Sequence, residues 1–259
     1  TDNHLVFFDP VGGTFSNSLA MSSGNNRTVT VENSAAAITW TGQITGTGDF
    51  LDKLGPGSFA ATNWAAGNAL YVSAGTFIFN DADTANMGNV IVRSGGRLAG
   101  DGELELASGN SLSVAGTLAP GQSPGILTVK GGPVTFDSTG ALAIEVNGVA
   151  TPGTDYDQLV IGSGSTVTIA AGADLALTFG AFTPALGDAV YIVDNDAGGA
   201  AISGTFEYLG NTLADDALVG VFNGMKWAIT YDAIAGGALD GGYGIALYTI
   251  PEPASLVLV

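Results

Sequence analysis

The sequence predicts an all-β protein built as a parallel β-solenoid. Three observations carry this. Short runs alternating apolar with polar or small residues recur at intervals of about 6–10 residues. Gly-rich turns separate them, as at Ser94-Gly95-Gly96, Ala99-Gly100-Asp101-Gly102 and Ser108-Gly109-Asn110. Few two-residue loops of hairpin type are present to build an antiparallel meander. Composition points the same way. With 40 Gly in 259 residues, Gly interrupts nearly every window, at about 1 kcal/mol per helical site. The apolar fraction of 46% is too high for a disordered chain.

Between about Ile38 and Leu177 the expected strands follow one another closely. They are Ala69–Ser73, Thr76–Phe79, Asn89–Val92, Glu103–Leu106 and Ser111–Val114, then Ile126–Val129, Val134–Phe136, Ala141–Val146, Gln158–Ile161, Thr166–Ile169 and Asp174–Leu177. Each is short, and most place apolar residues on alternate positions, as half-buried strands require. In a solenoid, inward residues of one coil pack on those of the next, so stability accumulates by stacking.

The stretch Gly116-Thr117-Leu118-Ala119-Pro120-Gly121-Gln122-Ser123-Pro124-Gly125-Ile126-Leu127-Thr128-Val129 resembles the autotransporter-associated β-strand repeat. The resemblance continues through Ala141–Val146 and Gly153–Val160, and a less regular copy occupies Gly46–Phe59, where Asn63-Trp64 breaks the following apolar run. It covers roughly residues 40–180. It implies a right-handed parallel β-helix in which Pro120, Gly121, Ser123, Pro124 and Gly125 form the turn linking two coils. It implies a fold and no chemistry.

Residues 181–250 change character. Ala189–Val193 is strongly apolar, and Gly204–Leu209, Met225–Asp232 and Gly244–Ile250 follow. A solenoid must cover its last coil, and these segments predict an antiparallel β cap. Pro251-Glu252-Pro253 followed by a small residue and an apolar run resembles the sorting signal of PEP-CTERM proteins. That resemblance implies export in a Gram-negative-type bacterium, handling by an exosortase-type enzyme, and a secreted or cell-surface location. The run Leu256-Val257-Leu258-Val259 falls short of the about 20 apolar residues of a membrane span, so no span is expected in this chain. No signal peptide is visible at Thr1, and the chain is expected to begin after its removal. The resulting division is a strand or cap segment over 1–37, repeats over 38–180, a cap over 181–250 and a sorting-signal remnant over 251–259.

Six Lys+Arg face 24 Asp+Glu, for a net charge of −18. Nucleic acid and anionic membrane surfaces are therefore expected to be repelled, and no nucleic-acid partner is expected. Absence of Cys, with His4 as the sole His, argues against a zinc site and leaves a Ser-His-Asp triad only a chain-terminal imidazole. The acidic pairs Asp81/Asp83, Asp155/Asp157 and Asp194/Asp196, with adjacent Asp215-Asp216, are the remaining chemistry. On a strand, Asp-x-Asp carboxylates share a face, about 7 Å apart. Asp155, Asp157, Asp194 and Asp196 are the candidate calcium ligands, but calcium needs about 6–8 oxygens. The Gly-Gly-x-Gly-x-Asp pattern of calcium repeats is missing. Solvated loop carboxylates, bonded at Asp155 and Asp157 to turn N–H groups, are the simpler reading. No cofactor is expected.

No motif selects a glycosidase pair. A lyase would need a basic residue, and Arg93 and Arg97 are the only close basic pair. Arg27, Lys53, Lys130 and Lys226 are expected at the surface, and Trp40, Trp64 and Trp227 in core or cap rather than on a sugar platform. The expected protein is thus a non-enzymatic structural component of a bacterial surface or matrix, with surface or matrix polysaccharide or a second copy of itself as partner. Two short apolar segments, Leu5-Val6-Phe7-Phe8 and Leu256-Val257-Leu258-Val259, are the candidates for assembly. The first reads either as a strand capping the N-terminal coil or as one that pairs with a neighbouring subunit, giving a head-to-tail filament. A glycan-binding adhesin is the alternative, and a polysaccharide-degrading enzyme a further one.

Overall fold

The computed structural model describes residues 4–8, 11–21, 26–46, 50–65, 67–80 and 85–252. Asp81, Asp83, Pro253 and Leu256–Val259 lie outside them. Among the described residues every regular element is a strand, and no helix is long and apolar enough to cross a membrane.

The strands visit their sheets in strict rotation. The first sheet stacks His4–Phe7, Arg27–Val31, Phe50–Leu54, Ala69–Val72, Val90–Val92, Leu112–Val114, Val134–Phe136 and Val167–Ile169, in that order. The second stacks Gly13–Phe15, Ala37–Trp40, Ser58–Ala61, Gly75–Phe79, Gly96–Gly100, Thr117–Pro120, Ala141–Val146 and Asp174–Phe179. The third strand of each set joins a short third sheet (Leu19–Met21, Ile44–Gly46, Trp64–Ala65). From Ala85–Met87 onward it joins a long one, through Glu103–Leu106, Ile126–Lys130, Gln158–Ile161 and Ala189–Asp194. Pairing within these stacks is parallel, as Leu70↔Val90, Leu112↔Val134 and Phe77↔Leu98 illustrate. The repeat is 22 residues long where Val90 pairs with Leu112 and Leu112 with Val134.

Register puts like on like. One buried column of the second sheet runs Ile38, Phe59, Phe77, Leu98, Leu118, Leu142, Leu175. Each side chain covers its neighbours above and below, at about 25 cal/mol per Å² of apolar surface removed from water. Aromatic stacking reinforces the N-terminal part, with Phe15–Trp40 and Trp40–Phe59 ring centroids 5.7 and 6.2 Å apart. Trp40, Trp64 and Trp227 are all buried, so none presents an exposed platform.

Two expectations need correction. The boundary near residue 38 has no counterpart in the pairing. His4–Phe7 is a parallel partner of Arg27–Val31, with Leu5↔Val29, so the stack already includes the first described strand. Leu5-Val6-Phe7 continues the sheet as its outermost strand. The sequence hides this because Gly13-Thr14-Phe15 and Leu19-Ala20-Met21 do not alternate apolar residues with polar ones over enough positions to show a buried face.

Lys53, expected at the surface, is fully buried. Register places it in the inward column Leu5, Val29, Lys53, Val72, Val92, Val114, Phe136, Ile169. Its Nζ donates to the carbonyls of Leu54, Gly55 and Ala74 at 2.8, 2.8 and 3.1 Å, which occupies all three donors of an ammonium. Burial still pushes its pKa down to about 8, against the opposing pull of Asp52.

Pairing changes beyond residue 189. Ala189–Asp194 lies parallel to Gln158–Ile161 on one side and antiparallel to Gly244–Ile250 on the other. Met225–Ala233 and Leu218–Phe222 extend the antiparallel order. Trp227 is fully buried there, with Phe179 and Phe182 at 5.3 and 6.5 Å and its Nε1 donating to the Phe222 carbonyl. Phe179 and Phe222 stack at 4.1 Å. Tyr231 accepts the Phe206 N–H at 2.9 Å, and Phe206 packs edge-on against Phe136 at 5.2 Å.

Candidate binding groove

The turn singled out by its sequence borders a cavity. After Pro120 the chain reverses, and Gly121 exchanges hydrogen bonds with Gly100 at 2.8 and 3.2 Å. The reversal requires glycine. Gly121 has φ +82°, and a Cβ there would meet the Gly125 nitrogen at 2.3 Å. A Cβ on Gly125 would meet the Asp101 carboxylate at 1.7 Å. Ser123, also in the turn, holds φ 149°, and its Oγ donates to Glu145 Oε2 at 2.8 Å, one strand further along the sheet.

The turn forms one wall of a groove of about 420 Å³ on the outer face of the second sheet. Arg97, Glu145, Thr178 and Gln122 supply polar groups; Ala143, Ala176, Pro120 and Ile144 supply apolar surface; Asp157 lies at the corner. Period-two alternation explains this set. Ala143 and Glu145 point outward from a strand whose Leu142, Ile144 and Val146 are buried, and they pair with Ala176 and Thr178 of the next strand.

Both acids are fixed by hydrogen bonds. Glu145 accepts from Ser123 and, at 2.7 Å, from Asn147 Nδ2. Asp157 is buried and accepts the backbone N–H groups of Gly125 and Glu145, each at 2.8 Å. It thereby ties the turn to the following strand. Burial raises its pKa to about 6; the two N–H groups and Arg97 pull it back down. Arg97 is exposed along its strand and makes no salt bridge among the described residues. Burial of part of its side chain lowers its pKa, and Asp157 opposes this.

The sign for Asp157 follows from linkage. Between pH 3.8 and 6 the native chain holds a proton that the unfolded chain has lost. Stability therefore falls as pH rises through that window. Asp157→Asn should remove this slope and, by turning an amide N–H toward one of the two backbone donors, lower stability at pH 7 by about 1–3 kcal/mol. Urea denaturation midpoints between pH 4 and 7 measure both effects.

The four candidate calcium ligands are not gathered into one site. Asp155 accepts the Thr151 N–H at 2.8 Å, Asp194 the Asp196 N–H at 3.2 Å, and Asp196 the Ala235 N–H at 3.1 Å. Asp155 and Asp194 thus accept from local N–H groups, and Asp196 from one 39 residues along the chain. Among the described residues no three acidic, His or Cys side chains cluster so as to hold a metal ion. Asp194 instead borders a second cavity, of about 390 Å³, with Tyr156, Gln158 and Tyr191. His4 lies beside Thr28, its Nδ1 in hydrogen-bond contact with the hydroxyl.

Arg93 and Arg97 part company across their turn. Arg93 packs its guanidinium 4.9 Å from the Tyr71 ring and reaches Ser73 at 3.0 Å and Asp52 at 3.6 Å. Arg97 faces the groove. Glu145 is not among the site residues the sequence points to, although its outward position in Ala141–Val146 is legible from the alternation. Glu252 of the Pro-Glu-Pro segment pairs with Lys226 at 3.3 Å and stays exposed.

No protein-family model matches the chain, and no curated protein matches it.

Proposed function

We propose that this chain is a right-handed parallel β-helix closed at its C-terminal end by an antiparallel cap, and that it serves as a non-enzymatic structural protein of a bacterial surface or matrix. In this reading it is exported under a PEP-CTERM-type signal and polymerises head to tail. One observation carries the assembly: among the described residues, His4–Phe7, Gly13–Phe15 and Leu19–Met21 each have a strand partner on one edge only. Val6 and Phe8 are 41% and 75% exposed beside that edge. Unpaired edges with apolar side chains template further pairing, and a strand donated by a second copy satisfies them by β-augmentation. Such a contact does not close on itself, so it yields a fibre.

The donor is the apolar segment 256–259 of the neighbouring copy. Deleting residues 251–259 or 1–8 should abolish fibres in electron micrographs of purified protein. Because the second deletion removes a strand of the stack, the double variant Val6→Lys/Phe8→Lys is the sharper test. It charges exposed positions only, and should leave the β circular-dichroism spectrum intact while blocking fibres. Unchanged assembly in these variants would overturn the proposal.

A further inference from the structure

We propose that the groove beside the Pro120–Gly125 turn binds a neutral glycan, one or two pyranose units at a time. This is separate from head-to-tail assembly, and neither depends on the other.

The argument starts from the balance of donors and acceptors. Arg97 brings five N–H donors in a planar fork and spends none on a salt bridge among the described residues. Glu145 lines the same groove, with acceptor capacity beyond the two hydrogen bonds that fix its carboxylate. Gln122 and Thr178 add groups that both donate and accept. Sugar hydroxyls also do both, so a pyranose satisfies Arg97 and Glu145 together. An anion would gain from Arg97 and lose against Glu145 and Asp157. A cation would meet the reverse.

The floor fits the same ligand. Ala143 and Ala176 are adjacent in register, and neither reaches far from the sheet. Together they make a flat apolar strip that suits the C–H face of a sugar ring. A cavity of about 420 Å³ lies within the roughly 300–1,000 Å³ of small-ligand sites. Arg97, Glu145 and Thr178 stand on strands, and Glu145 is further fixed by hydrogen bonds, so little backbone ordering is lost on binding.

The test uses the whole chain with maltose, cellobiose and lactose as neutral probes and a glucuronate-containing disaccharide as the anionic one. Titrations followed by backbone NMR should show at least one neutral disaccharide binding at about millimolar Kd. Its shifts should centre on Arg97, Glu145 and Thr178. Arg97→Ala should weaken binding by about 10-fold, the loss expected for a hydrogen bond to a charged group. Ala176→Trp should abolish it by filling the floor. Both substitutions fall at exposed positions, and an unchanged spectrum elsewhere in the protein verifies the fold. Absence of binding by all three neutral probes at about 10 mM, shifts centred elsewhere, or tighter binding of the uronate would each overturn the proposal.

Discussion

Lys53→Ala is expected to destabilise the protein by about 3–5 kcal/mol at pH 7, from the cavity left by the side-chain stem and the carbonyls left without a donor. Lys53→Met keeps the stem, so it should cost about half as much. The pH dependence identifies the cause. The native pKa of about 8 lies below the ordinary 10.5, so the fold opposes the charged form. Below pH 8 both states are protonated and the full cost is present. Between pH 8 and 10.5 the native chain sheds a proton that the unfolded chain keeps, so stability rises with pH, by at most about 3 kcal/mol. Above 10.5 the cost is gone. Tyr231 and Tyr248, pushed up to about 12 by burial, titrate later. Urea denaturation at pH 7, 8.5 and 10 should show this rise in the native sequence and a flat difference in Lys53→Met. A parallel response of the two chains would mean the ammonium is not desolvated.

Trp227→Ala should be comparably severe, at about 3–5 kcal/mol, because the indole is fully buried and touches Phe179 and Phe182 together. The damage should be uneven. Hydrogen exchange is expected to accelerate first in Leu218–Phe222, Met225–Ala233 and Gly244–Ile250, whose pairing runs through Trp227 and its neighbours. Val90–Val92 and Leu112–Val114, several strands away, should keep their protection, since local opening follows contiguous packing units. Uniform loss of protection would show instead that the antiparallel strands and the parallel stack unfold as one.

Much of the strand pattern was legible because period-two alternation is a local property. Leu112-Ser113-Val114 announces a strand with two buried residues and one outward, and the structure shows that pattern. The same rule applied to Phe50-Leu51-Asp52-Lys53-Leu54 puts Lys53 on the face of Leu51. The alternation carries the signal; the charge points to the surface instead, and by itself does not say where three backbone carbonyls converge. The groove was illegible for another reason. Arg97, Glu145 and Thr178 line one groove only because their strands stack in one sheet, and a single sequence does not fix which strand lies on which. The Pro120–Gly125 turn was readable as a turn; that its serine reaches forward to Glu145 was not.

The stacked register also has a mechanical consequence. The hydrogen bonds between paired strands run along the direction of stacking, so tension in that direction pulls on them end-on. Strands then peel away one after another instead of shearing together. Each 22-residue repeat, as from Val90 to Leu112, would release about 70 Å of extended chain. Under load along the stack the protein would then lengthen in small steps, one repeat at a time, rather than give way at once.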